Sequence, residues 1–165
     1  MHLTQALHRA MREQPERDAV ICGTERLTFA RFTDRVARLA GALQQRGLQP
    51  GDRVGLLSLN SARSVEYLYG CWWSRAVINP INVRWTPAEI AYSLDDCDTR
   101  ILLVDSTFAP MVPALRQQSK SLACVIYCGP GQEPEGMLDY EALLENTLPV
   151  PDGRHGGDHL AAVMY

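Results

Sequence analysis

No apolar run in this 165-residue chain approaches the roughly 18 to 20 residues that a membrane-spanning helix requires. The opening Met1-His2-Leu3-Thr4-Gln5 also lacks the basic-then-apolar layout of a secretory signal. Together these absences predict a cytoplasmic protein with no membrane span. Five cysteines, at positions 22, 71, 97, 124 and 128, form no Cys-x-x-Cys pair. That argues against a zinc ribbon or a dithiol redox centre and for reduced thiols used in packing. Cys124 and Cys128 fall on one face of a strand, because side chains alternate with period two, but their spacing suits neither metal nor redox use. The formal net charge is -3 and the basic residues are scattered, so the concentrated positive footprint of a nucleic-acid-binding protein is missing. No internal repeat occurs, and the composition gives no reason to expect disorder.

Chemical constellations are equally scarce. No glycine-flanked nucleophile elbow is present, and Ser58, Ser61 and Ser64 are accounted for by a strand end and a helix start. Gly129-Pro130-Gly131 has no lysine and no helix entry, and Gly156-Gly157 precedes a strand-like run, so neither reads as a phosphate loop. His155 and His159 lie four apart beside Asp152 and Asp158, but the two glycines between them oppose the helix that would bring the imidazoles together. Asp95-Asp96 reads as a solvated helix end, since adjacent helical residues point about 100° apart. The sequence therefore predicts no catalytic residue and no metal ligand within these positions.

What is present is an alternation of helices and strands. Leu3, Leu7 and Met11 mark a short amphipathic helix. Asp18 to Thr28 reads as a hairpin turning at Gly23-Thr24-Glu25. A long helix carrying Phe32, Val36, Leu39, Ala40 and Leu43 ends at Gly47, and Pro50-Gly51-Asp52 turns into a strand over Val54 to Leu59. Asn60-Ser61 caps a helix whose buried side is expected to carry Val65, Tyr67, Leu68, Cys71 and Trp72. A strand resumes at Val77-Ile78, and Thr86-Pro87-Ala88-Glu89 is a capping box opening a helix to about Leu94. Ile101 to Val104 and Cys124 to Cys128 are continuous apolar runs, the pattern of strands buried on both faces. A helix is expected over Phe108 to Ser119, and a short one over Asp139 to Asn146. The predicted class is α/β, a mostly parallel sheet flanked by helices with an amino-terminal β-hairpin, forming one unit over residues 1–165. Of the pair Trp72-Trp73, one ring is expected in the core and the other at a domain face.

Three stretches carry a family resemblance: Arg46-Gly47-Leu48-Gln49-Pro50-Gly51-Asp52-Arg53-Val54; Ala76-Val77-Ile78-Asn79-Pro80-Ile81-Asn82-Val83-Arg84; and Thr86 to Cys97 followed by Ile101-Leu102-Leu103-Val104-Asp105. In this order and spacing they resemble the adenylate-forming superfamily, which includes acyl-CoA synthetases, luciferases and peptide-synthetase adenylation domains. The chain departs from the commonest family pattern at Arg75, where that pattern has glycine. It closes on the apolar run Leu160 to Tyr165, and in the family such a strand leads into a Thr/Ser/Gly-rich phosphate loop ending in lysine. The expectation is accordingly the amino-terminal part of an acyl-CoA synthetase for fatty or other apolar carboxylic acids, inactive by itself.

The resemblance implies ATP, Mg²⁺ and CoA as the reaction's cofactors, with a carboxylic acid as the small-molecule partner. Asn82 and Arg84 follow a strand's carboxyl end, where open α/β sheets place ligands, and the family directs this loop toward the CoA nucleotide. They are the cofactor-binding candidates, with the Arg84 guanidinium matched to phosphate oxygens. An aryl-CoA ligase and a peptide-synthetase adenylation domain are the alternatives within the superfamily. Against the second stand Met1 close to the first helix and Asn82, where such domains usually carry aspartate. A reading from another class is a non-catalytic interaction module or homo-oligomer, should the chain end at Tyr165.

Overall fold

The computed structural model describes residues 1–165. Its elements are α1 (Gln5–Glu13), β1 (Asp18–Cys22), β2 (Glu25–Thr28), α2 (Phe29–Gln45), β3 (Arg53–Leu57), α3 (Ala62–Trp73), β4 (Val77–Pro80), α4 (Pro87–Asp96), β5 (Ile101–Val104), α5 (Val112–Gln118), β6 (Cys124–Tyr127), β7 (Leu138–Asp139) and α6 (Tyr140–Glu145). A single 3-10 turn, Ala109–Met111, precedes α5, so the helix expected over Phe108 to Ser119 is divided at its proline-bearing start. β1 and β2 form the antiparallel hairpin, and the remaining strands form a parallel sheet in the order β4-β3-β5-β6-β7.

Period and burial explain this arrangement. Ile101, Leu102, Leu103 and Val104 are all buried, as a central strand with helices on both faces requires. Leu103 joins Leu39, Leu43, Tyr67 and Leu144 in one apolar layer, under α2, α3 and α6. Leu102 joins Ile90, Leu94, Val112 and Leu115 in the other, under α4 and α5. Cys124 and Cys128 do share a face, both packing in the first layer. Burial pushes the Cys128 thiol up to about 12, which suits a packing thiol. On α3, Gly70 allows α2 to approach: a β-carbon there would lie 2.6 Å from Leu39 Cδ2.

Turn chemistry closes the elements. Thr86 and Glu89 form the expected capping box, the Glu89 carboxylate accepting from the Thr86 N–H at 2.8 Å. Arg75 adopts φ of 62°, the left-handed region that favours glycine, which accounts physically for the glycine of the family pattern.

Asp95 differs from its expected role as a solvated helix end. It accepts hydrogen bonds from Ser119 Oγ at 2.6 Å, the Lys120 N–H at 3.0 Å and the Ser121 N–H at 2.9 Å. Desolvation works upward on its pKa, but these donors outweigh it and hold the carboxyl at about 2. A carboxyl depressed in the folded state stabilises above its unfolded pKa, and that contribution is lost as pH falls through the folded value. Asp95→Asn is therefore expected to cost about 1 kcal/mol at neutral pH after allowance for solvent screening. Denaturant unfolding at a series of pH values should show the gap between variant and parent narrowing from pH 4 toward about 2. A gap independent of pH would refute the carboxylate's role.

Candidate functional site

Parallel strands deliver their following loops to one edge of the sheet, so Ser58 to Ser61, Asn82 to Thr86, Asp105 to Phe108 and Cys128 to Gly131 gather at the carboxyl ends. The chain moves outward from β3 to β4, then crosses back to β5 on the other side of β3. The topological switch point lies between β3 and β5. Asp105 stitches it together: its carboxylate accepts from the Leu59 N–H at 2.7 Å and Ser58 Oγ at 3.2 Å, and from the Thr107 N–H at 2.9 Å. The cleft beside it, about 240 Å³, is walled by Ser61, Arg63, Ser106 and Cys128. Arg63 is already engaged there, by Glu25 at 2.9 Å and Glu141 at 2.8 Å.

Asn82 and Arg84 stand together in the exposed loop after β4. Asn82 shapes this loop: its Oδ1 accepts the Arg84 N–H at 3.0 Å and its carbonyl accepts the Trp85 N–H at 3.1 Å. The Arg84 guanidinium faces solvent with no carboxylate in ion-pair range. Among the two candidates, then, Arg84 offers a free charge and Asn82 offers the turn that presents it. An unpaired guanidinium on a preformed turn fits a phosphate group.

The run from Ala161 to Tyr165 reaches the same corner. It makes one parallel bridge with β4: the Ile78 N–H donates to the Ala161 carbonyl at 3.2 Å and the Val163 N–H to the Ile78 carbonyl at 2.9 Å. The expected full strand is thus realised as a single bridge. Trp72 Nε1 donates to the Ala161 carbonyl at 3.3 Å and its ring is half-buried. Trp73 is the tryptophan in the core, bonded through Nε1 to the Val150 carbonyl at 2.8 Å. Tyr165 donates to Asp96 at 2.6 Å and meets Trp85 edge-on at 6.4 Å, so the segment ends against the loop that carries Arg84.

Sequence reasoning missed a charged core behind this edge. Glu66 is fully buried; it is held by Arg35 Nε at 2.5 Å and by Tyr140 Oη at 2.6 Å. Arg35 reaches on to Glu141 at 2.7 Å. The available signal was a glutamate set between Val65 and Tyr67 on the helix face expected to be apolar.

A profile of the AMP-binding enzyme family matches residues 7–165. The long-chain-fatty-acid–CoA ligase of Thermus thermophilus is 36% identical over 126 residues, 76% of this chain and 23% of its own length. A Rhodococcus jostii ligase, the 3-[(3aS,4S,7aS)-7a-methyl-1,5-dioxo-octahydro-1H-inden-4-yl]propanoyl:CoA ligase, is 34% identical over 174 residues, 97% of this chain and 34% of its own. The crystal structure of the N-terminal domain of FACL13 from Mycobacterium tuberculosis superposes with a TM-score of 0.86 at 25% identity, covering all of this chain and 41% of that one. The chain spans only a quarter to a third of the length of these two ligases and matches their amino-terminal portion. Fold, topology and sequence agree: this chain belongs to the AMP-binding enzyme family.

Proposed function

We propose that these residues are the amino-terminal part of the large domain of an ATP-dependent acid–CoA ligase acting on fatty or other apolar carboxylic acids. The family match over residues 7–165 is the observation that supports it most. In this reading the substrate carboxylate forms a bond to the α-phosphorus of ATP as the bond to pyrophosphate breaks. The CoA sulfur then bonds the acyl carbon, AMP leaves, and the thiol proton passes to solvent. Mg²⁺ would supply neutralisation of phosphate charge in such a transfer. The groups that carry out the chemistry lie outside residues 1–165, which alone are inactive. Arg84 binds a phosphate of the CoA nucleotide, and Asn82 orients it through the turn.

The test is an acid screen on the longer protein, following ATP-dependent pyrophosphate release and then acyl-CoA formation. Apolar acids are expected to support both. Arg84→Ala should raise KM for CoA about tenfold, with the KM for ATP and adenylate formation unchanged, because only uniform binding of one substrate is lost. An unchanged KM for CoA would remove Arg84 from the site, and absence of turnover with every acid would overturn the ligase reading.

A further inference from the structure

All four histidines of the chain, His2, His8, His155 and His159, line one groove of about 930 Å³ together with Arg9 and Arg12. No carboxylate lines it, although the chain as a whole carries a net charge of -3. The groove lies between α1 and residues 155–161. His155 and His159 also line a smaller hollow with Pro50, Gly51 and Val77 at the amino ends of β3 and β4. It is therefore at the opposite end of the sheet from Asn82 and Arg84.

The walls are fixed in place. The Leu3 N–H donates to the His155 carbonyl at 2.8 Å, and His2 bridges Gly156 as an antiparallel pair. Gly156 is required for this approach, since a β-carbon there would lie 2.8 Å from His2 Cα. Beneath the groove, Asp152 accepts from Thr4 Oγ1 at 2.5 Å and contacts His8 Nε2 at 2.6 Å, with His2 Nδ1 at 3.9 Å. The His8 ring stacks on Trp73 at 5.0 Å. The Asp152 side chain is only 4% exposed and is held by these partners and by the Arg154 N–H at 2.8 Å. His155 is buried, its Nε2 at 3.0 Å from the Leu160 carbonyl and its Nδ1 without a hydrogen-bond partner.

We infer that this groove is a binding site for a small molecule bearing a di- or triphosphate group. Arg9 and Arg12 are three apart on α1 and so extend from one face, spaced to take adjacent phosphates. Arg12 has no carboxylate partner. Arg9 meets only exposed Glu13 at 3.0 Å, a pair weak enough for a polyanion to displace. Leu3, Ala6 and Ala161 add apolar wall, and the volume is within the range of small-molecule sites, about 300–1,000 Å³.

Calorimetric titration of the longer protein with inorganic pyrophosphate tests this, with the difference between parent and variant as the readout, because pyrophosphate is also a product of the proposed reaction. The Arg9→Ala/Arg12→Ala double variant is expected to lose one class of saturable site, its affinity falling about tenfold or more, while its unfolding temperature and ATP-dependent pyrophosphate release match the parent because both side chains are at the surface. No binding by the parent at about millimolar pyrophosphate, a double variant whose isotherm equals the parent's, or a double variant that loses turnover would each overturn the groove as a separate site.

Discussion

Glu66→Ala is expected to lower the free energy of unfolding by about 3–5 kcal/mol, a fall of about 10 °C in Tm for a chain of this size. Glu66 is fully buried, and truncating it strips Arg35 of two hydrogen bonds, at 2.5 and 3.1 Å, and leaves the buried Tyr140 hydroxyl without its acceptor. In the parent, burial works against the Arg35 charge and the bonds to Glu66 and Glu141 outweigh it. In the variant the guanidinium still stays charged, because arginine's intrinsic pKa lies above about 12 and Glu141 remains beside it. A retained buried charge with half its compensation gone is what makes the loss large. Glu66→Gln keeps the shape and one acceptor and should fall between parent and alanine. Glu141→Gln should cost about 1 kcal/mol, since the Glu141 side chain is 40% exposed and water can replace it. Chemical denaturation of the four proteins gives the comparison, and a Glu66→Ala cost under about 1 kcal/mol would show that Glu141 and Tyr140 rearrange to compensate.

Leu103→Ala should cost about 2–5 kcal/mol. β5 lies in the middle of the sheet, paired with β3 on one side and β6 on the other, and Leu103 is fully buried beside Leu39, Tyr67 and Ile126. Backbone pairing on both sides prevents the strand from closing on the vacated volume, which places the cost toward the upper end. Leu103→Met, which conserves volume, should cost less than about 1.5 kcal/mol. Equal losses for both variants would mean that side-chain shape, not cavity formation, governs this layer.

The α/β alternation was legible because each element announces itself locally. The apolar run at Ile101 to Val104, the capping box at Thr86 to Glu89 and the glycine-closed turns are all written within a few residues. Arg75 was legible only as a departure from a glycine pattern that put the local turn in question; the structure shows that the left-handed backbone position is kept with arginine in it. Two assignments changed, and one residue was passed over, where partners come from far along the chain. Asp95 reads as solvent-facing until residues 119–121 are brought to it, and Trp72 and Trp73 exchange environments once Val150 and Ala161 supply their carbonyl partners. Glu66 is the residue passed over, unreadable without Arg35 and Tyr140.

The candidate loop was legible as a position and not as a set of roles. A strand followed by Asn82 and Arg84 located it, yet only the turn geometry distinguishes the residue that shapes the loop from the one whose charge is free. The sequence by itself determined the element order, the class of fold and the family, because period, caps and short motifs act over a handful of neighbouring residues. The tertiary structure alone decided the strand order that puts the switch point beside Asp105, the buried partners of Glu66, and the gathering of four distant histidines into one groove. Those follow from contacts between residues far apart in the chain, such as Leu3 with His155 and His2 with Gly156, for which adjacency in the chain carries no physical information.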